Sequence, residues 1–293
     1  MVSALGFGRS VGNLLADRDV FGLIGFSQTM IPSMHVVSYL RPFQYLLTSG
    51  MLDPGYTDHA AGQFLKFINE RVSESFVRVR ATEGSPSKET HLNKTDDALQ
   101  SFIDTGLTQS EAEAESSIFL FAGTDTTATA LRHAIFYLCA ANPAAYRTLQ
   151  AEIDDAAAAK SAPLDSVISA DRASSLPFLQ ACIKETMRMW PPAQTFMAKI
   201  SDADDVVCGL RVPAGTQVGW AALAVMRDSE IFGADADMFE PRRWVDVKEQ
   251  KLREMEAVYG LVFAVGTRWE CPGRKLAVAE LGKALFDVGI SFC

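Results

Sequence analysis

The stretch FAVGTRWECPGRKLA, residues 263–277, places one cysteine, Cys271, in a setting that does not suit a buried core thiol. Polar residues and glycines surround it, and Pro272 follows directly. Because proline is favoured in the first turn of a helix, the sequence predicts that Cys271 lies at a helix N-terminus, where the helix dipole favours a thiolate. Gly273 removes a side chain where a flat ligand approaches, and Arg268 is placed to meet a ligand's negative charge.

The cysteine pattern limits the chemistry available to this chain. The five cysteines are widely spaced and include no C-x-x-C pair, which argues against a zinc cluster or a disulfide framework and favours a reducing compartment. A single thiolate suits a haem iron, which needs one protein ligand on its proximal side. From this segment alone, a redox-inert cysteine at a helix start explains the pattern equally well.

Length and composition set the broad class of the protein. The 293 residues, 48% of them hydrophobic, are enough for one large domain or two ordinary ones with a sizeable core. The net charge of −9 argues against a nucleic-acid partner. No apolar run approaches the ~20 residues of a membrane helix, and the first residues do not resemble a signal peptide, so we expect a soluble chain.

Helical patterns dominate the sequence, and few segments are typical of strands, so we expect a mainly α fold with small β-sheets. The longest helix is predicted over about 108–141, where Thr108 and Glu111 fit a capping box. Pro143 fits the first turn of the next helix.

Three further segments carry clear structural signals. A helix rich in apolar residues is predicted over 60–80, and another over 174–192 ends at two prolines. Residues 206–223 carry β-branched residues around Pro-Ala-Gly at 213–215, which predicts a hairpin turn there. The apolar stripe of the helix predicted over 60–80 comprises Phe64, Phe67, Ile68, Val72, Phe76 and Val77.

The centre of the long helix reads AGTDTTATA, residues 122–130, and collects poor helix formers in one turn. One interpretation is a locally weakened helix whose hydroxyls bond back to carbonyls. The other is a functional groove, in which Gly123 makes room, Asp125 moves protons and Thr126 offers a hydroxyl.

Glu185 and Arg188 face each other at i, i+3 on the helix over 174–192. A surface ion pair, worth less than about 1 kcal/mol, explains this spacing. Arg243, in the downstream segment FEPRRW, offers the alternative of a buried network of all three charges.

In combination, these segments resemble the cytochrome P450 family of haem-thiolate monooxygenases. AGTDTT is similar to the family's oxygen-activating pattern, with Asp125 and Thr126 at the acid and alcohol positions. The segment ETMR is similar to its Glu-x-x-Arg helix, and FEPRRW to the segment whose arginine, here Arg243, completes a network with Glu185 and Arg188.

The resemblance extends to the cofactor. Residues 263–277 look like the cysteine-ligand loop, which makes Cys271 the implied iron ligand. The resemblance also implies cofactor-binding roles for Phe263, Gly273, Arg268 and, at mid-helix, Gly123. Lys199 falls where the family often has a basic residue near a haem propionate. Thr267 is an extra residue relative to the usual loop, which leaves the roles of Arg268 and Gly266 open.

The resemblance implies a P450-like fold that lacks the N-terminal part, with residues 1–293 forming the later part of one domain and a lid region at about 20–83. The implied activity is insertion of one oxygen atom from O2 into a lipophilic small molecule, in the manner of fungal secondary-metabolism members. The implied cofactor is haem b, with electrons from NADPH through NADPH-cytochrome P450 reductase. A full-length form is expected at the cytoplasmic face of the endoplasmic reticulum membrane, held only by an N-terminal anchor absent here.

Two alternatives to this activity remain at the sequence level. The chain is either a truncated, non-catalytic fragment or a haem-thiolate isomerase or dehydratase that does not activate oxygen. The pair Asp125–Thr126 argues against the isomerase or dehydratase. Substrate-lining positions are expected at 117–121, 193–197 and 21–43.

Overall fold

Helices make up most of the chain in this computed structural model, which describes residues 1–40, 45, 60–82, 97–158, 167–194 and 198–291. Within those ranges the strands are short and form two-stranded antiparallel sheets. The expected mainly α class with small β-sheets is therefore confirmed. The chain divides into two units, residues 1–125 and 126–293, and the boundary falls inside the longest helix.

The first unit is a cluster of helices around an aromatic core. Phe67 stacks on Phe21 with ring centres 4.3 Å apart and meets Phe7 edge-on at 5.7 Å. Most of the apolar stripe predicted over 60–80 is buried in this core, but Val77 is exposed. The helices preceding the longest one are α1 (Val2–Phe7), α2 (Asn13–Ala16), α3 (Leu23–Tyr39), α4 (Ala60–Thr82) and α5 (Ala98–Asp104).

The longest helix, α6, runs over Gln109–Phe136 and continues as a π-helix over Tyr137–Ala141. The backbone N–H and the hydroxyl of Thr108 donate to the Glu111 carboxylate at 2.8 and 2.7 Å, so the capping box forms as predicted. These hydrogen bonds lower the pKa of Glu111. The helix therefore occupies the range expected from its start and stop signals.

The second unit is organised around helix α9 (Pro177–Met189), most of whose residues are buried. Its neighbours include α7 (Pro143–Ala158) and α13 (Arg274–Ser291). Their shared core contains Leu179, Ile183 and Leu285. No helix in the described part of the chain combines the length and apolarity needed to cross a membrane. The helices that follow α6 are α7 (Pro143–Ala158), α8 (Ala170–Ser174), α9 (Pro177–Met189), α10 (Ala222–Val225), α11 (Ser229–Phe232), α12 (Glu249–Tyr259) and α13 (Arg274–Ser291).

The strands lie between α9 and α10, and their turn differs from the prediction. Strands β2 (Asp205–Val207) and β3 (Leu210–Val212) are joined by Cys208 and Gly209, whose φ angles are 51° and 78°. Two positive φ angles are the requirement of a type I′ hairpin turn, so this dipeptide makes the tight turn. The prediction that residues 213–215 form a hairpin turn was therefore wrong.

The predicted 213–215 turn has a different role in the structure. The N–H of Thr216 donates to the carbonyl of Pro213 at 3.1 Å, and the chain passes from β3 into strand β4 (Gln217–Val218). Strand β4 pairs with β1 (Lys199–Ile200), so this turn links the two small sheets.

The carboxylate of Glu185, on α9, has no exposed surface and accepts hydrogen bonds from several parts of the chain. Arg188 donates to it through two nitrogens, each at 2.8 Å. Arg243 donates at 3.0 Å, the indole N–H of Trp244 at 2.9 Å and the backbone N–H of Glu240 at 2.8 Å. The structure thus brings Glu185, Arg188 and Arg243 together in the protein interior.

The two arginines extend this network to the surrounding backbone. Arg188, itself fully buried, donates to the carbonyls of Met226 and Ala236 at 2.6 Å each. Arg243 also donates to the side chain of Asp235 at 3.0 Å. Burial tends to raise the pKa of Asp235, but the Arg243 guanidinium outweighs it and lowers that pKa. The network therefore joins α9 to the segments around residues 226 and 235–244.

Replacing Glu185 by Ala should lower the free energy of unfolding of the second unit by about 3–5 kcal/mol. The reason is that the change leaves two guanidinium groups buried without their counter-ion. Urea unfolding followed by circular dichroism measures the loss.

A matched control is Glu249→Ala, which breaks an exposed i, i+4 pair with Arg253 on α12. This control should cost little, because solvent already screens both charges. If both variants lowered the free energy of unfolding by the same small amount, the buried Glu185 network would not contribute the predicted stability.

Candidate cofactor site

A cavity of about 650 Å³ lies inside the second unit, and its volume is within the range of small-molecule and cofactor pockets. Most of its lining is apolar. The long helix α6 contributes one wall, and the segment 261–271 contributes another. Lining residues include Thr126, Thr127, Ala130, Met187, Pro192, Lys199, Val218, Trp220, Phe263, Ala264, Thr267, Trp269, Cys271 and Leu281.

Cys271 lies on this cavity at the end of a closed loop. Its backbone N–H donates to the carbonyl of Phe263 at 2.9 Å, and this bond closes the loop over 263–271. Helix α13 begins at Arg274, so Pro272 lies before the helix and not in its first turn as predicted, and Cys271 precedes the helix by three residues. A hydrogen bond of 3.3 Å from the Arg274 N–H to the Cys271 carbonyl connects the loop to the helix.

The extra residue of this loop, Thr267, is part of its internal bonding. Its hydroxyl donates to the carbonyl of Ala264 at 2.8 Å and accepts from the backbone N–H of Trp269 at 3.1 Å. Ala264 and Gly266 both have positive φ, 51° and 75°. A non-glycine residue with a left-handed backbone, here Ala264, is strained by roughly 1–2 kcal/mol. The hydrogen bonds of Thr267 offset this backbone strain.

Environment separates Cys271 from the other cysteines. Cys182 is fully buried, and burial raises the pKa of its thiol, so that thiol stays protonated. Cys139 and Cys208 are exposed, the latter in the hairpin turn. Among the described cysteines, Cys271 is the one that lines the cavity. Cys293 lies outside the described residues.

On the long helix, Thr126 and Thr127 line the cavity. Asp125 comes immediately before them, is half-buried and belongs to the first unit. Gly123 packs against Val2: a Cβ at this glycine would lie 3.0 Å from a methyl of that valine.

Lys199 and Arg268 are both placed over the indole ring of Trp269. The Lys199 Nζ is 4.1 Å and the Arg268 Cζ is 4.8 Å from the ring centre. Lys199 and Trp269 line the cavity. The structure therefore gathers the two predicted cations beside a third residue, Trp269, which sequence reasoning did not single out. Its adjacency to Arg268 was the available signal.

A second pair near the cavity was also missed by sequence reasoning. Glu280, on α13, is buried and hydrogen-bonds Thr127. Burial raises the pKa of this carboxyl, and the Thr127 hydrogen bond opposes the shift only in part. No local pattern marks Glu280, because its burial depends on α13 packing within the second unit.

The expected substrate-lining positions are only partly described. Ala193 lines the cavity, whereas residues 195–197 lie outside the described chain. Positions 117–121 belong to the first unit, where the Phe121 ring meets Phe26 at 5.7 Å. The end of the stretch 21–43 also lies outside the described residues.

The residues around the cavity fit a haem. An exposed cysteine lines a mostly apolar cavity, and a Cβ at Gly273 would lie 3.8 Å from its sulfur, so the glycine leaves the space beside the sulfur open. Within the described ranges, no group of three or more His, Cys, Asp or Glu residues is placed to hold a metal ion. A cysteine with this environment matches the single proximal ligand that a haem requires.

Comparison with known proteins agrees with this chemistry. The chain is 32% identical to "Cytochrome P450 monooxygenase ABA1" of Pyricularia oryzae, over 98% of this chain and 54% of that protein. It is 30% identical to the aba1 monooxygenase of Botryotinia fuckeliana, over 98% of this chain and 55% of the relative. The abl1 monooxygenase of Leptosphaeria maculans is 29% identical, over 100% of this chain and 50% of its own length.

The chain thus spans about half the length of these relatives. A model of the cytochrome P450 family matches residues 10–288, which include the long helix, the Glu185 network and the Cys271 loop. Since that match covers nearly the whole sequence, this chain belongs to the cytochrome P450 family.

Proposed function

We propose that this chain carries the catalytic residues of a haem-thiolate monooxygenase of fungal secondary metabolism. In the proposed reaction, one atom of O2 enters a lipophilic small molecule and the other leaves as water. Two electrons and two protons balance the reaction. The electrons come from NADPH through NADPH-cytochrome P450 reductase, and the proposed location is the cytoplasmic face of the endoplasmic reticulum membrane.

The observation that carries this proposal is the shared cavity of Cys271 and Thr126. A cysteine from the loop and a hydroxyl from the long helix line the same apolar space of about 650 Å³. That combination supports a site where Cys271 would hold a haem iron and Thr126 would supply a proton, beside one apolar substrate. The apolar lining also favours a lipophilic substrate, because it removes ordered water from such a molecule.

Cys271 is the residue that would hold the haem iron. Its loop is closed by the hydrogen bond between its own N–H and the Phe263 carbonyl, at 2.9 Å, which restricts where the sulfur points. When bound, haem b supplies the activation of O2, and a thiolate ligand favours cleavage of the O–O bond. Phe263 contributes an apolar surface to the cavity, and Gly273 keeps the space beside the sulfur open.

Thr126 and Asp125 are the proposed proton carriers. Thr126 lines the cavity, so its hydroxyl would hold a proton at the cavity wall. Asp125 is the adjacent residue on the same helix and would replenish that proton through its carboxyl. This pair favours oxygen activation over isomerase or dehydratase chemistry, since those reactions need no delivered protons.

Replacing Cys271 by Ser should abolish the thiolate-type carbon monoxide spectrum of the reduced, haem-loaded protein, since a neutral hydroxyl does not replace the thiolate. Cys208→Ser and Cys139→Ser are matched controls, because both change exposed cysteines that do not line the cavity. Loss of the spectrum in either control, with Cys271→Ser unaffected, would overturn the assignment.

Replacing Thr126 by Ala should leave haem and substrate binding intact but lower the product formed per NADPH by about tenfold or more, with electrons diverted to hydrogen peroxide. The measurement uses a small molecule that the wild-type protein oxidises, with product, peroxide and NADPH quantified together. Thr126→Ser keeps a hydroxyl and should retain coupling. Unchanged product per NADPH in the alanine variant would remove Thr126 from the proton path.

A further inference from the structure

We propose that Glu270 is a positioning residue that clamps the loop around Cys271 and thereby fixes the direction of its sulfur. This inference rests on the proposed function, because it concerns the side chain that would ligate the haem iron. Glu270 immediately precedes Cys271 but is not among the residues that line the cavity. It would therefore act through the loop and not through contact with a substrate.

The carboxylate of Glu270 holds two points of the chain, one on each side of Cys271. One oxygen accepts a hydrogen bond of 3.0 Å from the backbone N–H of Gly266. The other oxygen pairs at 3.2 Å with the guanidinium of Arg274, the first residue of helix α13. The side chain therefore ties the loop before the cysteine to the helix after it.

The backbone of this loop needs such support. Gly266 and Ala264 both have positive φ, 75° and 51°, and an alanine in that region is strained. In the described part of the chain, the Gly266 N–H donates to the Glu270 carboxylate and to no backbone carbonyl. A hydrogen bond to a charged acceptor is stronger than one between neutral groups, so this bond contributes directly to the shape of the loop.

The charge of Glu270 does not explain its position. A carboxylate next to the thiolate expected at Cys271 is unfavourable, because two negative groups in neighbouring residues repel each other. The Arg274 guanidinium offsets that charge. The geometry that the carboxylate imposes on the loop is therefore its contribution to the site.

Helix α12 offers a matched ion pair that lacks the clamp. Glu249 and Arg253 are spaced i, i+4, as are Glu270 and Arg274, and both pairs are partly exposed. Within the described ranges, however, no backbone N–H donates to the Glu249 side chain. An effect that belongs to the clamp should therefore appear in Glu270 variants and be absent from Glu249→Ala.

The first measurement follows amide hydrogen exchange over residues 263–271 in the haem-free full chain. Glu270→Ala removes the acceptor and should speed exchange of the Gly266 N–H by about tenfold. Glu270→Gln keeps a side-chain oxygen that can accept this hydrogen bond, and its exchange should stay within about threefold of wild type. Glu249→Ala should leave the loop unchanged.

The second measurement loads the same variants with haem and records the reduced, carbon monoxide-bound spectrum. Wild-type protein should show the thiolate-type band. Glu270→Ala should lower the ratio of thiolate-type to non-thiolate absorbance by about tenfold, and Glu270→Gln should restore most of it. Haem per chain is measured alongside, because a variant that merely destabilised the unit would lose haem without changing this ratio.

Several results would overturn the proposal. They are an unchanged ratio in Glu270→Ala, an equal fall in Glu270→Gln, and an equal fall in Glu249→Ala. If Glu270→Ala does not fold, Arg274→Gln releases the clamp at its helix end and should lower the ratio by about threefold; an unchanged ratio there would also overturn it. A wild-type chain that binds haem without the thiolate band, or binds none, would overturn the proposed function, whereas exchange would still decide whether Glu270 holds the loop.

Discussion

The second unit depends on one buried negative charge, the carboxylate of Glu185. Burying a carboxylate is costly unless its oxygens are paired, and here they accept from Arg188, Arg243 and Trp244 as well as from a backbone N–H. Several of these donors belong to the segment 235–244. The hydrogen bonds that stabilise the Glu185 carboxylate therefore also hold helix α9 against that segment. Met187, on the same helix, lines the cavity, which therefore shares this framework.

The cysteine loop is built on a different principle, because its residues are largely exposed. Its shape follows from local backbone bonds, including the closure from Cys271 to Phe263 and the bonds of Thr267. Ala264 has a positive φ of 51°, a conformation that an alanine adopts only when its surroundings require it. The loop thus holds the Cys271 side chain mainly through local backbone geometry, with Phe263 packed against the core of the second unit.

Local rules predicted the helices well where a cap or a proline decides the boundary. The start of α6 follows from the side chain of Glu111, which lies within the same turn as its partner Thr108. The hairpin turn was misplaced because two dipeptides compete nearby, and pairing of β2 with β3 selects Cys208–Gly209. Val77 fits the apolar stripe of its helix but is exposed. An apolar stripe predicts which face of a helix can be buried, but not how much of that face the neighbouring helices cover.

The sequence by itself determined which chemical groups are available: a cysteine in a glycine-rich setting, an acid beside an alcohol at mid-helix, and a carboxylate one turn from Arg188. These features are legible because each depends on residues a few positions apart. Only the tertiary structure decided which groups share a cavity, because Thr126 and Cys271 lie far apart in the sequence and line the same apolar space. It also joined Lys199 and Arg268 on one indole, because contacts between residues nearly seventy positions apart depend on how the whole unit closes and leave no local pattern.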